Sequence, residues 1–404
     1  MEYQYPFDKT NGLEGTSGAW VNANRTEGIH GSTPSATFYD RVAREIENAI
    51  LSAALTPSNL DLTQLGQAMM RHSRFTTNTD LIVGPSQQFG TIQEALVYVS
   101  RKRIPNDTIV RLLLTAGDHE FTTATGPAII DHPDGSRIVI EGPPLTGPFP
   151  DKTAVNLADK STVEANLRDV FPAIVQLTGQ TNGFFVRQGT MGLLRNVAII
   201  GDGSPGQHGV LCGEWDHGHG RGGGKMENVF TFNCGEDGIR SNYNSEIVGR
   251  NLGATHNGKM GFRAANQSGI QCAGRSIACR NGNTGFFAVN MGFIEVFDDS
   301  TGCNNGNFGY SSYGGSQIAL SCALLDIRNN GGATAGVGAG LVSANFSFLQ
   351  CPLGSGASIQ KGGNVYDLLA VGGGYLVAGS PMLPGATSSP SPNVVSHDQS
   401  FVLA

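Results

Sequence analysis

The sequence predicts a mainly β protein built as a parallel β-helix solenoid, and two observations carry that prediction. One is an unbroken interval: Asn233, Asn257, Asn281, Asn305 and Asn329 stand 24 residues apart throughout. An interval that regular means one structural unit laid repeatedly against itself. Neighbouring columns keep the same beat, with Ile247, Ile270, Ile294 and Ile318 in one and Ile239, Phe262, Phe286 and Tyr310 in another. β-branched and aromatic columns without a three-to-four spacing describe coils of short strands, each paired with the coils above and below. The second observation is glycine, 57 residues of 404, about twice the usual share. A coil must turn sharply several times, and glycine supplies the positive φ at such corners.

The elements follow in order. Residues 1 to about 36 are polar and glycine-rich, with no periodicity. Phe38, Val42, Ile46, Ala49, Ile50 and Ala53 then mark one face of a helix, with Thr37 as its expected N-cap and Pro57 as its stop. A second short helix is expected from Asp61 to about Arg71, capped by an Asp61–Gln64 pair. Two helices of this size bury little alone, so association with copies of the same chain is expected. Thr91 with Glu94 forms a capping box for a third helix, whose stripe is Ile92, Ala95, Leu96 and Val99. A helix there would cover the open strand edge of a first coil. Strand candidates follow at Ile109–Leu114, Ile138–Ile140, Ile174–Leu177, Phe184–Val186 and Val197–Ile200, and the strict repeat spans 228–331. Three regions result: an N-terminal helical attachment segment (1–79), a capping helix with the solenoid (80–363), and a short extended C-terminal region (364–404).

Charge and cysteine usage narrow the partners. Charged residues are 15% of the chain, with 33 acidic against 26 basic. That balance argues against nucleic acid, which would want a clustered basic surface. No run of 18 apolar residues exists, so no membrane insertion is expected. The start, Met1–Pro6, lacks the basic and apolar stretches of a secretory signal. The seven cysteines include no CxxC pair. Cys279 and Cys303 should sit on neighbouring coils as reduced, buried side chains, as in a protein made in a cytoplasm.

With these pieces in place, the chain resembles bacteriophage tail fibres and tailspikes of the pectin-lyase-like class. Phe89-Gly90-Thr91-Ile92-Gln93-Glu94-Ala95-Leu96 is similar to the helix that opens right-handed β-helices in that class. The coil length also matches. The stretch Asp61-Leu62-Thr63-Gln64-Leu65-Gly66-Gln67-Ala68 resembles short helices at the virion-attached ends of tail proteins. The resemblance implies a right-handed β-helix and a homotrimer in the virion tail, made in the host cytoplasm. Its N-terminal segment would be held by tail or adaptor proteins, and the β-helix would meet a host polysaccharide or lipopolysaccharide. It implies no cofactor. Three rivals remain open: a tailspike endoglycosidase that depolymerises surface polysaccharide, a free polysaccharide lyase, and a virion protein with no ligand. No catalytic motif of the lyases or esterases can be matched residue by residue.

Candidate chemistry falls in three places. Glu236 and Asp237 are the weak catalytic candidates, since glycosidases use carboxyl pairs; a solvated turn is the simpler reading. The stretch from Gly213 to Gly224 interrupts the repeat by about eight residues, and coil insertions often carry binding. It holds Trp215, Asp216 and Arg221, suited to sugar contact, with subunit packing as the simpler reading. His217 and His219 lack metal-ligand spacing, so no metal is expected. Arg240 and Arg263 should stack on adjacent coils, where two guanidiniums repel unless solvated or bridged by an anion. His256, Arg280, Asn304 and Arg328 read as a second basic column. Solvated faces are the simpler reading of both columns, with contact to an acidic surface polysaccharide or a lipopolysaccharide phosphate as the functional alternative, and Arg275 with Asp299 reads as a surface ion pair.

Overall fold

In the computed structural model the chain forms two compact units, residues 1–76 and 77–404. The structure describes residues 7–8, 13–14, 36–53, 55–58, 63–187, 189–213, 222–331, 338–351, 358–360, 363–364, 366–378, 394–396 and 401–403.

In the first unit, helix α1 (Ala36–Ser52) and helix α2 (Gln64–Ser73) pack through Ile50, Ala53 and Ala68. Helix α1 begins one residue before Thr37, so Thr37 lies within it. Asp61 lies outside the described residues. Gln64 instead ties the inter-helix loop, donating to the Thr56 carbonyl at 2.6 Å and accepting from Ser58 N–H at 2.7 Å. Of the expected α1 stripe, Ile50 and Ala53 are buried and Ile46 is exposed; Leu51 and Met69 are exposed as well.

The second unit is a right-handed parallel β-helix. Its first strand, Thr79–Val83, is followed by helix α3 (Ile92–Ser100), whose capping box is complete: Thr91 Oγ1 accepts from Glu94 N–H, and Glu94 accepts from Thr91 N–H. Ile92, Ala95, Leu96 and Val99 are buried as the stripe requires. Every described strand pair of the solenoid is parallel, with residues in register from coil to coil. The expected columns are the interior rows. Ile247, Ile270, Ile294 and Ile318 pair in sequence, and Phe262, Phe286 and Tyr310 stack with centroids 4.7 and 4.6 Å apart. Tyr310 keeps a polar partner in the core, its hydroxyl 2.6 Å from Ser300 Oγ.

Each coil has three faces. Short strands such as Ile239–Asn242, Phe262–Ala265 and Thr284–Val289 make the first. The long strands Gly222–Phe232, Glu246–Thr255, Gly269–Ile277 and Phe293–Thr301 each bend at one left-handed residue: Asn228, Asn251, Gly274 or Asp298. Their first halves make the second face and their second halves the third. Asn251 and Asn228 bond to the asparagine one coil back, Nδ2 to Oδ1, at 2.9 Å each.

The asparagine column splits in two. Asn233 and Asn329 adopt the left-handed conformation, with φ of 53° and 55°, and share that corner with His256, Arg280 and Asn304. Asn257, Asn281 and Asn305 stand one residue further on, buried in an inward ladder whose Nδ2–Oδ1 bonds measure 3.0 Å. The ladder runs on through Asn330 and Asn364. The coils from Asn233 to His256 and from Asn304 to Asn329 differ by one residue from the central period, so a strict 24-residue count crosses from one column to the other.

Two further findings differ from the sequence reading. The C-terminal region is not a separate tail, because Tyr366–Val371 and Tyr375–Ala378 continue both sheets as further coils. The second is an insertion between coils, helix α4 (Lys152–Val155) and helix α5 (Lys160–Val170), capped by Asp151 and Asp159. Its Phe149, Val155, Val163, Leu167 and Phe171 pack on Ala198, Ile200, Phe230, Phe232 and Cys279 of the third face. Burying an aromatic or aliphatic side chain of this kind stabilises by about 2 kcal/mol each, enough to hold the insert on the solenoid.

The His256–Arg328 column is where this insert lands, so it is not a solvated face. His256 Nε2 donates to the Leu157 carbonyl at 2.8 Å and Arg280 Nε to the Asn156 carbonyl at 3.0 Å. Asn304 bonds Asn156 at 3.1 Å, and Lys152 and Arg328 share Asp326. Arg275 is in register with Asp299, but its guanidinium donates to the Phe149 carbonyl at 2.9 Å. All seven cysteines are free and buried, with Cys279 and Cys303 sulfurs 3.2 Å apart under the insert.

Candidate functional site

The first face carries a cluster that joins two separate sequence candidates. Asp237 closes the corner after Asn233, and its side chain has 0% exposure. Its Oδ1 accepts from Met260 N–H at 3.3 Å. Its Oδ2 has no hydrogen-bond partner among the described residues, but Arg240 Nη1 and Arg263 Nη1 each lie 3.6 Å away. The two arginines are in-register neighbours on adjacent coils. Their side chains are 21% and 26% exposed, with the Nε of each buried. Beside them Glu236 pairs with Lys259.

The outward row continues on both sides without charge. Leu211 precedes Arg240, and Phe287 and Ser311 follow Arg263. The Arg263 guanidinium lies 6.0 Å from the Phe287 ring centre, at the edge of cation–π range.

Sequence reasoning missed His208, Lys259 and Phe287. The Asp237 N–H donates to His208 Nδ1 at 3.3 Å, so Nδ1 is the acceptor nitrogen and the neutral ring carries its proton on Nε2. Burial pushes His208 down to about 3, and the neighbouring Arg240 and Arg263 charges push the same way. It is therefore neutral, and its 3.7 Å approach to Asp237 is no ion pair. Burial moves the Asp237 carboxyl upward, against the pull of Arg263 and Arg240. Burial and the facing Arg263 charge move Arg240 downward. Only the coil register brings His208 to this corner, from 29 positions upstream of Asp237. Lys259 was within reach of the sequence, since it follows Glu236 by nearly one coil.

Trp215, Asp216 and Arg221 lie outside the described residues. The roots of their insertion are described. Gly213 follows Leu211, the coil neighbour of Arg240, by two positions. Gly213 has a φ of 77°, and a Cβ there would stand 2.1 Å from the Asn242 carbonyl oxygen and from Ser245 Oγ, so the turn requires glycine. The other root, Gly222–Gly224, pairs with Gly189–Met191 and borders a groove of about 290 Å³ with Thr190, Lys225, Asn244, Glu246 and Val248. Among the described residues, no group of three or more metal-ligating side chains stands together, and no helix is long and apolar enough to cross a membrane.

No protein-family model matches this chain, and no curated protein matches its sequence. Among solved structures it is similar to the A-modules of the mannuronan C-5 epimerases AlgE4 and AlgE6 of Azotobacter vinelandii. Identities are 14% and 13%, TM-scores 0.36 and 0.34, over 73% of this chain and 91% of each module. Both figures are too low to speak to activity or ligand.

Proposed function

We propose that this chain is the β-helical tail fibre or tailspike of a bacteriophage, and that it recognises a glycan on the host cell surface. The observation that carries the reading is the Arg240–Arg263 pair, half-sunk on an outward row beside Phe287 and backed by the buried Asp237 carboxylate. Fixed polar donors next to an aromatic face suit a saccharide, which offers oxygen acceptors along a ring with an apolar side. The solenoid holds these side chains on rigid strands. The proposal includes a homotrimer, since helices α1 and α2 leave Leu51 and Met69 exposed. It also includes attachment of the N-terminal segment to tail or adaptor proteins.

The endoglycosidase alternative ranks behind it. Asp237 has no exposed surface, and Glu236 is engaged by Lys259. A carboxyl pair for hydrolysis must reach a sugar and keep the spacing of acid and base. Asp237 acts in this reading as a positioning residue for the two arginines.

Adsorption of the purified protein to host cells tests the proposal. The double substitution Arg240→Gln/Arg263→Gln should cut adsorption at least about tenfold, as loss of a central contact does, with the melting temperature of the same variant read beside it to show that it folds. Adsorption unchanged in a folded double variant would remove this face as the receptor site.

A further inference from the structure

We infer that the group read by Arg240 and Arg263 is a single oxyanion carried by the saccharide: a carboxylate, phosphate or sulfate. The inference rests on the glycan-recognition reading and adds the chemical class of the ligand. Its first support is a charge count. Among the described residues the cluster holds three cations, Arg240, Arg263 and Lys259, against two acids, Glu236 and Asp237, with His208 neutral. One positive charge is left uncompensated when Asp237 is ionised, and two when it is protonated. Both states favour an anion.

The second support is unused donors. A guanidinium presents five N–H groups. Each arginine meets Asp237 only at 3.6 Å, too long for a hydrogen bond. Asp237 is thus a shared counter-charge that consumes few of these donors. Two guanidiniums one coil apart, about 4.8 Å by strand spacing, repel each other, and the buried Asp237, at 3.6 Å from each, offsets only part of that. An oxyanion at the surface would accept from both and relieve that repulsion.

The third support is confinement. The row is apolar or neutral at Leu211, Phe287 and Ser311, so the surplus charge spans two coils and no more. A nucleic-acid backbone would want a longer run of cations. One charged substituent, with its sugar ring set toward Phe287, fits this span.

Equilibrium binding of the intact protein to three probes tests the inference: polygalacturonate, inorganic phosphate and dextran. Polygalacturonate is expected to bind, more weakly as salt rises, and dextran is not. Phosphate competing with polygalacturonate would show that any oxyanion suffices; failure to compete would assign the site to a sugar carboxylate. Arg240→Gln and Arg263→Gln should each weaken polygalacturonate binding at least about tenfold, whereas Arg263→Lys, which keeps the charge, should lose less. Melting temperatures of all three variants confirm that they fold. Dextran binding as tightly as polygalacturonate, or polygalacturonate binding unchanged in both glutamine variants, overturns the inference while leaving glycan recognition intact. Absence of binding by both polygalacturonate and phosphate up to about 10 mM, far above useful affinities, also overturns it. Host-cell adsorption by the parent protein then decides separately whether any glycan is recognised.

Discussion

Two faces of the same solenoid meet opposite fates. The third face turns Ala198, Ile200, Phe230, Phe232 and Cys279 outward, and the chain covers them with α4, α5 and their flanking phenylalanines. The first face turns Arg240, Arg263 and Phe287 outward on coils of the same pitch, and leaves the two arginines partly exposed. Apolar outward rows must be buried to be tolerated. A row of partly sunken cations has the reverse problem, because its charges need a counter-ion inside and an anion or water outside. The lesson is that the coil is a neutral frame: what the outward positions carry decides whether a face is structural or free to meet a ligand.

Removing the cover should have the largest effect. Phe171→Ala opens the packing against Phe149 and Phe230, whose ring centres lie 6.1 and 6.4 Å away. A loss of about 3–5 kcal/mol is expected, as for other buried aromatic truncations. A melting temperature within a degree or two of the parent would mean that the insert is not what stabilises the third face.

Next comes the counter-charge of the first face. Asp237→Asn keeps the shape and removes the charge, leaving Arg240 facing Arg263. Burial lifts the Asp237 carboxyl against the pull of both arginines, so its charge is net costly in the fold and the neutral amide should raise stability at neutral pH by about 1–2 kcal/mol. The gain should shrink as pH falls and Asp237 itself takes up a proton. A variant less stable than the parent would show that the carboxylate is needed to hold the pair.

Acid should loosen the covered face in a defined window. His256, which donates to Leu157 of the insert, is pushed down to about 4 by burial and by the nearby Lys160 and Arg280 charges. An unfolded histidine titrates near 6.5. Between these values the unfolded chain binds the extra proton, so stability falls as pH drops from about 6.5 toward 4 and is fully present above 6.5. His208, pushed down to about 3, acts in the same direction on the first face. His256→Gln should flatten part of this slope when melting temperature is followed from pH 7 to pH 4. An unchanged slope would assign the acid sensitivity elsewhere.

The smallest stability effect is expected from Arg263→Gln. The side chain is a quarter exposed and makes no short ion pair, so a change below about 1 kcal/mol is expected. A larger loss would mean that the first face, like the third, is mainly structural, and the contrast between them would fail.

The sequence by itself determined the repeat. A repeat near 24 residues, the interior rows of isoleucine and aromatic residues, and the Thr91–Glu94 capping box are local or periodic features, and each holds in the fold. It also placed Arg240 beside Arg263, because adjacent coils of equal length put equal positions side by side. Tertiary structure decided the rest, wherever coil length varies or one coil is crossed by another part of the chain. One-residue differences at Asn233–His256 and Asn304–Asn329 sorted one asparagine column into two. Longer coils hid the last turns, which read as an extended tail. The insert's landing on the His256–Arg328 column, and the approach of His208 to Asp237, are contacts between distant segments. Periodicity reports which positions share a row, but only packing decides what comes to rest on top of it.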